Sequence, residues 1–324
     1  MSKHLDILLL LALPASGKSE IRTYLTSLSP AECEQHFGIG HTVQLDDFPY
    51  VHLMRRISNE LVARGQDGPY FRSPALPFRD PLDWGTLIEL INEDYHDLVG
   101  GRRPAPASAA RWLGERLDRA RGLVGAPPVF APMDAALRRE LETVLEDECR
   151  QFLAQKNDAH PASLDGRTVV IEFARGGADG SPLPLPAPFG YRYSLSRLTP
   201  EILDKAAVLY VWVTPEDSRR KNRERTDPDD PGSILHHGVP NAVMYGDYGC
   251  DDMAWLLENS DRPHTVPVER DGRIWHLPIG RFDNRADLTT FVRDDLGQWN
   301  PRDVSRLRSG LETAFRELHA ARGA

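Results

Sequence analysis

The chain is poor in cysteine. Cys33, Cys149 and Cys250 are its only three, they lie far apart, and none forms a C-x-x-C pair. That pattern argues against a disulfide scaffold or a zinc site and suits a reducing cytosol. Also missing is any apolar run approaching the roughly 18 residues of a membrane-spanning helix. Positive charge is in deficit: 39 lysines and arginines stand against 48 aspartates and glutamates, a formal charge of −9. A surface of that sign repels phosphate over most of its area. Sequence-indifferent wrapping of nucleic acid is therefore a poor expectation, although a local basic site is allowed. What is present, 324 residues of which 40% are apolar, is enough to bury a core. It corresponds to one large domain or two modest ones at about 150 residues per domain.

Leu5–Leu13 is a continuous apolar stretch bounded by Pro14. Apolar on both faces and too short for a bilayer, it reads as the central strand of a parallel sheet covered by helices. Further strands are expected at Thr42–Leu45, Thr168–Phe173, Ala207–Val213 and Arg273–Ile279, the last preceded by an edge hairpin from Thr265 to Glu269. Strands separated by helical stretches imply right-handed crossovers and a layered α/β fold, a three-layer sandwich around a central, mostly parallel, five-stranded sheet. Between the second and third strands the pattern changes. Helices are expected at Leu82–Leu98, Ser108–Leu123 and Pro132–Lys156, the last with an apolar face made by Leu137, Leu141, Val144, Leu145, Cys149 and Phe152. The expected organisation is a core of residues 1–64 and 166–324 with a helical insertion, 65–165. The proline-rich stretch 175–194 is loop, and Pro301–Ala321 closes the chain as a helix.

The strongest signal is Ala12-Leu13-Pro14-Ala15-Ser16-Gly17-Lys18-Ser19. It fits the Walker A pattern, G-x-x-x-x-G-K-[ST], with alanine at the first position. Its chemistry is a turn of main-chain N–H groups facing an anion, followed by a helix whose positive end faces it. Gly17 supplies backbone freedom, Lys18 a charge for the β- and γ-phosphates, and Ser19 a hydroxyl for Mg²⁺. Pro14, Ala15, Ser16, Gly17, Lys18, Ser19 and Glu20 are the expected nucleotide contacts. Ala15 becomes critical if the backbone there has positive φ. A competing expectation, a secretion leader, rests on the lysine, short apolar run and small residues of the first 17 positions; Asp6 and the passage straight into Gly17-Lys18-Ser19 oppose it.

The string LLALPASGKS resembles the phosphate loop of P-loop kinases, in particular those related to polynucleotide kinase, the zeta-toxin kinases and the nucleoside-monophosphate kinases. The resemblance extends over the strand residues and not over the helical insertion. It implies an ATP- and Mg²⁺-dependent phosphotransferase with lid segments. In that group the strand after the loop helix ends in an acid that takes the acceptor hydroxyl's proton, a place filled here by Asp46 or Asp47. One of the two can act while the other caps the next helix; Asp46 is the expected base. Glu172 closes an apolar strand as a Walker B acid does, to hold Mg²⁺, or else forms an ion pair with Arg175. Five of the seven residues from Arg219 to Arg225 are basic. Arg219 and Arg223 share a helix face and match the lid arginines that surround a transferring phosphoryl group; the alternative is a solvated face balanced by neighbouring acids, including Asp227–Asp230.

Weaker candidates are His236-His237 as substrate contacts, Phe189, Tyr191 and Tyr193 as a base-stacking or core cluster, and Gly280–Asn284 as an adenine contact or an ordinary turn. No N-K-x-D or G-x-S-x-G string occurs. Together these features predict a cytoplasmic kinase that moves the γ-phosphoryl group of ATP to a hydroxyl or phosphate of a small-molecule acceptor. A nucleotide-binding regulator with little catalysis and a nucleic-acid 5′-end kinase stand as second and third expectations.

Overall fold

The computed structural model describes residues 4–225 and 238–323. The chain divides into two compact units, one of residues 1–44 and 165–324 and one of residues 45–164. The second unit begins at Leu45, ahead of the residue 65 expected, so a helix over Phe48–Ala63 belongs with the other helices of that unit.

The first unit is α/β. Its strands are β1 (Ile7–Leu11), β2 (His41–Asp46, cut by the unit boundary), β3 (Arg167–Phe173), β4 (Ala206–Trp212), β5 (Thr265–Arg270) and β6 (Arg273–Asp283). They form one sheet in the order β2-β3-β1-β4-β6-β5. The sheet is six-stranded rather than five-stranded, because the edge hairpin adds β5 as a full strand. β1 pairs in parallel with β3 and β4, β4 pairs in parallel with β6, and β5 runs antiparallel to β6. The apolar run at the start is thus a central strand, which explains why neither face of it carries polar residues. Leu8 and Leu10 pack on one face against Ile21, Tyr24, Leu25, Phe37, Leu311 and Phe315. Ile7, Leu9 and Leu11 are buried as well.

Helix α1 (Lys18–Ser27) follows β1 after a short turn. Helix α2 (Pro30–Phe37) starts with a complete capping box between Ser29 and Glu32. The closing helix, Pro301–Arg322, approaches β6 so closely that a Cβ on Gly280 would stand 1.9 Å from the Ala314 carbonyl. Gly280 is a packing residue inside β6, not part of a turn as expected: the strand runs on to Asp283.

The 45–164 unit is helical, with α3 (Phe48–Ala63), α4 (Asp83–Val99), α5 (Ala109–Leu123) and α6 (Ala135–Asp158). On α6, Leu141, Leu145 and Cys149 are buried, but Val144, expected on the same face, is 45% exposed. No described helix is long and apolar enough to cross a membrane.

Candidate functional site

The turn from Ala12 to Gly17 joins β1 to α1 at the carboxyl end of the central strand, where open α/β sheets bind ligands. Its backbone is unusual. Ala15 has φ 56° and Gly17 φ 101°, so the condition set by the sequence is met: an alanine occupies the left-handed region, at a cost of about 1–2 kcal/mol.

Buried side chains hold the carbonyls of this turn. The Tyr191 hydroxyl donates to Ala12 O at 2.9 Å, and the Ser16 hydroxyl donates to Leu13 O at 2.7 Å. The Ser218 hydroxyl donates to Pro14 O at 2.7 Å, and Asn284 Nδ2 donates to Ser16 O at 2.8 Å. In a trans peptide the N–H of the next residue points away from the carbonyl. Each of the amides of Leu13, Ala15 and Gly17 therefore faces away from the donor that holds the carbonyl before it. Lys18, 8% exposed, lies back over the turn with Nζ 3.4 Å from Ala12 O and 3.3 Å from Leu13 O. Both of these bonds are long. Ser19 is half-buried in the first turn of α1. The Glu20 carboxylate is bound by Arg293 at 2.7 Å, so any contact it makes with a ligand runs through its backbone.

Comparisons with known proteins are silent. No family model matches the chain, and no match is found among the curated proteins or the solved structures.

Asn284 and Ser218 also tie the turn to its surroundings. Asn284 is fully buried, shares a hydrogen bond with Thr289 at 2.8 Å, and its carbonyl accepts from Lys221 Nζ at 2.8 Å. Ser218 and Lys221 sit on the helix Pro215–Arg225, so that helix holds the turn directly through Ser218 and indirectly, by way of Asn284, through Lys221. A Cβ on Gly17 would stand 2.5 Å from Thr289 Oγ1 and 2.6 Å from Asn284 Nδ2. Gly17→Ala is therefore expected to destabilise the chain by about 1–3 kcal/mol, whereas Ala15→Gly is tolerated. Urea unfolding of the two variants checks both; a silent Gly17→Ala contradicts this geometry.

Glu172 lies opposite Leu10 in the β1–β3 register, near the end of β3. It forms an ion pair with Arg22 of α1 at 3.2 Å; the pair expected from the sequence, as the alternative to a Mg²⁺ role, is with Arg175. Arg175 donates to Ala174 O and lies over the Phe173 ring at 5.1 Å. Asp46 ends β2, and its Oδ1 accepts from the Phe48 amide at 2.6 Å. The carboxylate that meets the start of α3 is thus that of Asp46, while Asp47 occupies the N-cap position and is buried. Arg219 is almost fully buried. It binds Glu216 at 3.1 Å, lies over the Tyr245 ring at 4.8 Å, and has Nη1 4.0 Å from Asp179, beyond hydrogen-bond distance. Arg223, four residues on, is exposed.

Among the described residues no group of three or more His, Cys, Asp or Glu is placed to hold a metal ion. A Mg²⁺ that arrives on a nucleotide needs only one or two protein oxygens, because phosphates and waters complete its octahedron. The Ser19 hydroxyl and the Glu172 carboxylate are oxygens of the right type, the latter paired with Arg22 at 3.2 Å. Tyr191 is a core residue that anchors the turn, and Asn284 is an anchor too. His236, His237 and Asp227–Asp230 lie outside the described residues.

A second acid near this end of the sheet went unnoticed in the sequence. Burial pushes the Asp251 carboxyl up to about 6, and Tyr210, at the end of β4, donates to it at 2.7 Å. A carboxyl raised in the folded state binds its proton more tightly there than when unfolded. Its contribution to stability is greatest below pH 4, falls between about pH 4 and 6, and is flat above. Asp251→Asn is expected to gain on the wild type by about 1–3 kcal/mol across that window. Unfolding free energies measured at pH 4, 5, 6 and 7 check it, and a stability difference independent of pH contradicts it.

Proposed function

We propose that the chain is an ATP- and Mg²⁺-dependent phosphotransferase of the P-loop kinase type, acting on a hydroxyl or phosphate of a small molecule. The observation that carries this proposal is a left-handed turn between the central strand and α1, with φ 56° at Ala15 and 101° at Gly17, whose carbonyls are held by side-chain donors. The amides of Ala15 and Gly17 are turned from the donors on Pro14 O and Ser16 O, and Lys18 lies over the same turn. A positive-φ turn with a lysine at the start of a helix suits a polyphosphate.

Within this proposal the turn amides and Lys18 hold the β- and γ-phosphates. Ser19 and Glu172 would hold a Mg²⁺, which would supply positive charge to the phosphate oxygens. Asp46 accepts the proton of the acceptor hydroxyl as its oxygen bonds to the γ-phosphorus. The bond from that phosphorus to the bridging oxygen breaks, and ADP leaves with the electron pair. Arg219 and Arg223 supply positive charge to the transferring group, which requires Arg219 to loosen its hold on Glu216. The helical unit binds the acceptor.

The test follows ADP formation from Mg-ATP against a panel of polyols, nucleosides and 5′-hydroxyl oligonucleotides. Acceptor-dependent turnover is expected. Asp46→Asn should lower it by about 10²–10⁴-fold while stabilisation by Mg-ATP persists. Binding without turnover against any acceptor would select the regulator instead, and turnover with oligonucleotides alone the end kinase.

A further inference from the structure

The 45–164 unit has a cavity of its own, about 790 Å³ in volume, within the range of small-molecule pockets. Its apolar wall consists of Leu61, Val129, Met133 and Leu137 together with five prolines. The wall is preformed. The Asp118 carboxylate accepts from the amides of Val129, Phe130 and Ala131 at 2.6, 3.0 and 2.7 Å, and Arg121 Nε donates to Pro127 O at 2.8 Å. Prolines with fixed φ and a loop pinned in this way lose little freedom when a ligand enters.

The polar part of the lining is unbalanced. Two guanidinium groups reach it, but both are engaged by the protein. Arg79 binds Asp67 and the Gly68 carbonyl, and Arg121, itself buried, binds Asp83, Asp80 and Pro127 O. Against them stand the carboxylates of Asp67, Asp80 and Asp134 in the lining, and that of Asp83 buried behind Arg121. A carboxylate has about four lone-pair sites. Asp80 uses two contacts, Arg121 and the Leu82 amide, and Asp134 takes the amides of Ala136 and Leu137. The cavity therefore offers acceptors and negative charge while its donors are committed. Beside it, the Tyr70 hydroxyl is completely buried, under the Arg121 guanidinium at 5.3 Å from the ring, and has no hydrogen-bond partner among the described residues.

We infer that this cavity binds a small organic cation, a primary ammonium carried on an apolar body. The ammonium meets Asp80 and Asp134, and the body lies against the prolines, Val129 and Met133. An anion of the same shape is rejected by the carboxylates. This binding goes beyond the phosphotransfer proposal and does not depend on it.

Three probes of one shape decide the matter by calorimetric titration of the full chain without nucleotide: tryptamine, tryptophol and indole-3-acetate. Tryptamine is expected to bind at least about tenfold more tightly than tryptophol, as one favourable charge contact allows, and indole-3-acetate not at all. Asp80→Asn and Asp134→Asn keep their backbone hydrogen bonds, so the fold is retained; each should weaken tryptamine by about tenfold and leave tryptophol unchanged. Met133→Trp fills the cavity and should abolish both. Lys18→Ala should change neither, which separates this site from the nucleotide turn. No binding of tryptamine, equal binding of all three probes, or binding indifferent to Met133→Trp overturns the inference.

Discussion

Mg-ATP is expected to stabilise the wild-type chain, and Lys18→Ala to remove nearly all of that stabilisation. A ligand present at 100 times its dissociation constant stabilises by about 2.7 kcal/mol. Hydrogen bonds to a charged group are worth roughly 1.5–3 kcal/mol each, so loss of the ammonium weakens ATP on the order of 100-fold. At the same nucleotide concentration the remaining stabilisation is then about 0.4 kcal/mol. The other donors that hold the turn, from Tyr191, Ser16, Ser218 and Asn284, are untouched by the change. Thermal unfolding with and without Mg-ATP measures both halves of the expectation. An undiminished shift in the variant would place the nucleotide elsewhere.

A larger loss of stability is expected from Arg116→Ala in the helical unit. The Arg116 side chain is 3% exposed and reaches Glu93 at 2.7 Å, Asp94 at 2.8 Å and the Tyr50 hydroxyl at 2.9 Å. Tyr50 in turn donates to Asp94 at 2.7 Å, so α3, α4 and α5 meet at one buried charge. Removing a single partner from such a group leaves the others desolvated and unpaired, at about 3–5 kcal/mol. Replacing the whole cluster by apolar residues, Arg116→Met with Asp94→Leu and Tyr50→Phe, should recover much of that loss, because Arg119 retains Glu93 at 2.8 Å and Lys156 retains Asp97 at 2.9 Å. Urea unfolding of the single and combined variants reads the difference. A single variant within about 1 kcal/mol of the wild type, the scale of an exposed ion pair, would show that the cluster is solvated.

The sequence carried the framework of the sheet because burial writes itself into short stretches. Ile7–Leu11 is apolar at every position since both faces are covered, and the Gly17-Lys18-Ser19 string marks the start of α1. Contacts between distant residues leave no such trace. Tyr191, Ser218 and Asn284 reach the turn from 179, 204 and 268 positions away, and nothing in a lone tyrosine, serine or asparagine announces a carbonyl to anchor. The ion pair of Glu172 with Arg22 is of the same kind: Arg22 comes from the helix after β1, 150 positions away, whereas only Arg175 is near in sequence. Val144 shows the limit of periodicity, since a position at the margin of an apolar stripe falls outside the contact along a 24-residue helix.

The most direct measurement follows the amide protons of Ala15 and Gly17 by NMR as Mg-ATP and, separately, adenosine are added. Mg-ATP should shift both and slow their exchange with solvent, while adenosine, which lacks the phosphates, leaves them unmoved. Amides that stay indifferent to saturating Mg-ATP, or that respond equally to adenosine, would contradict a phosphate-holding turn.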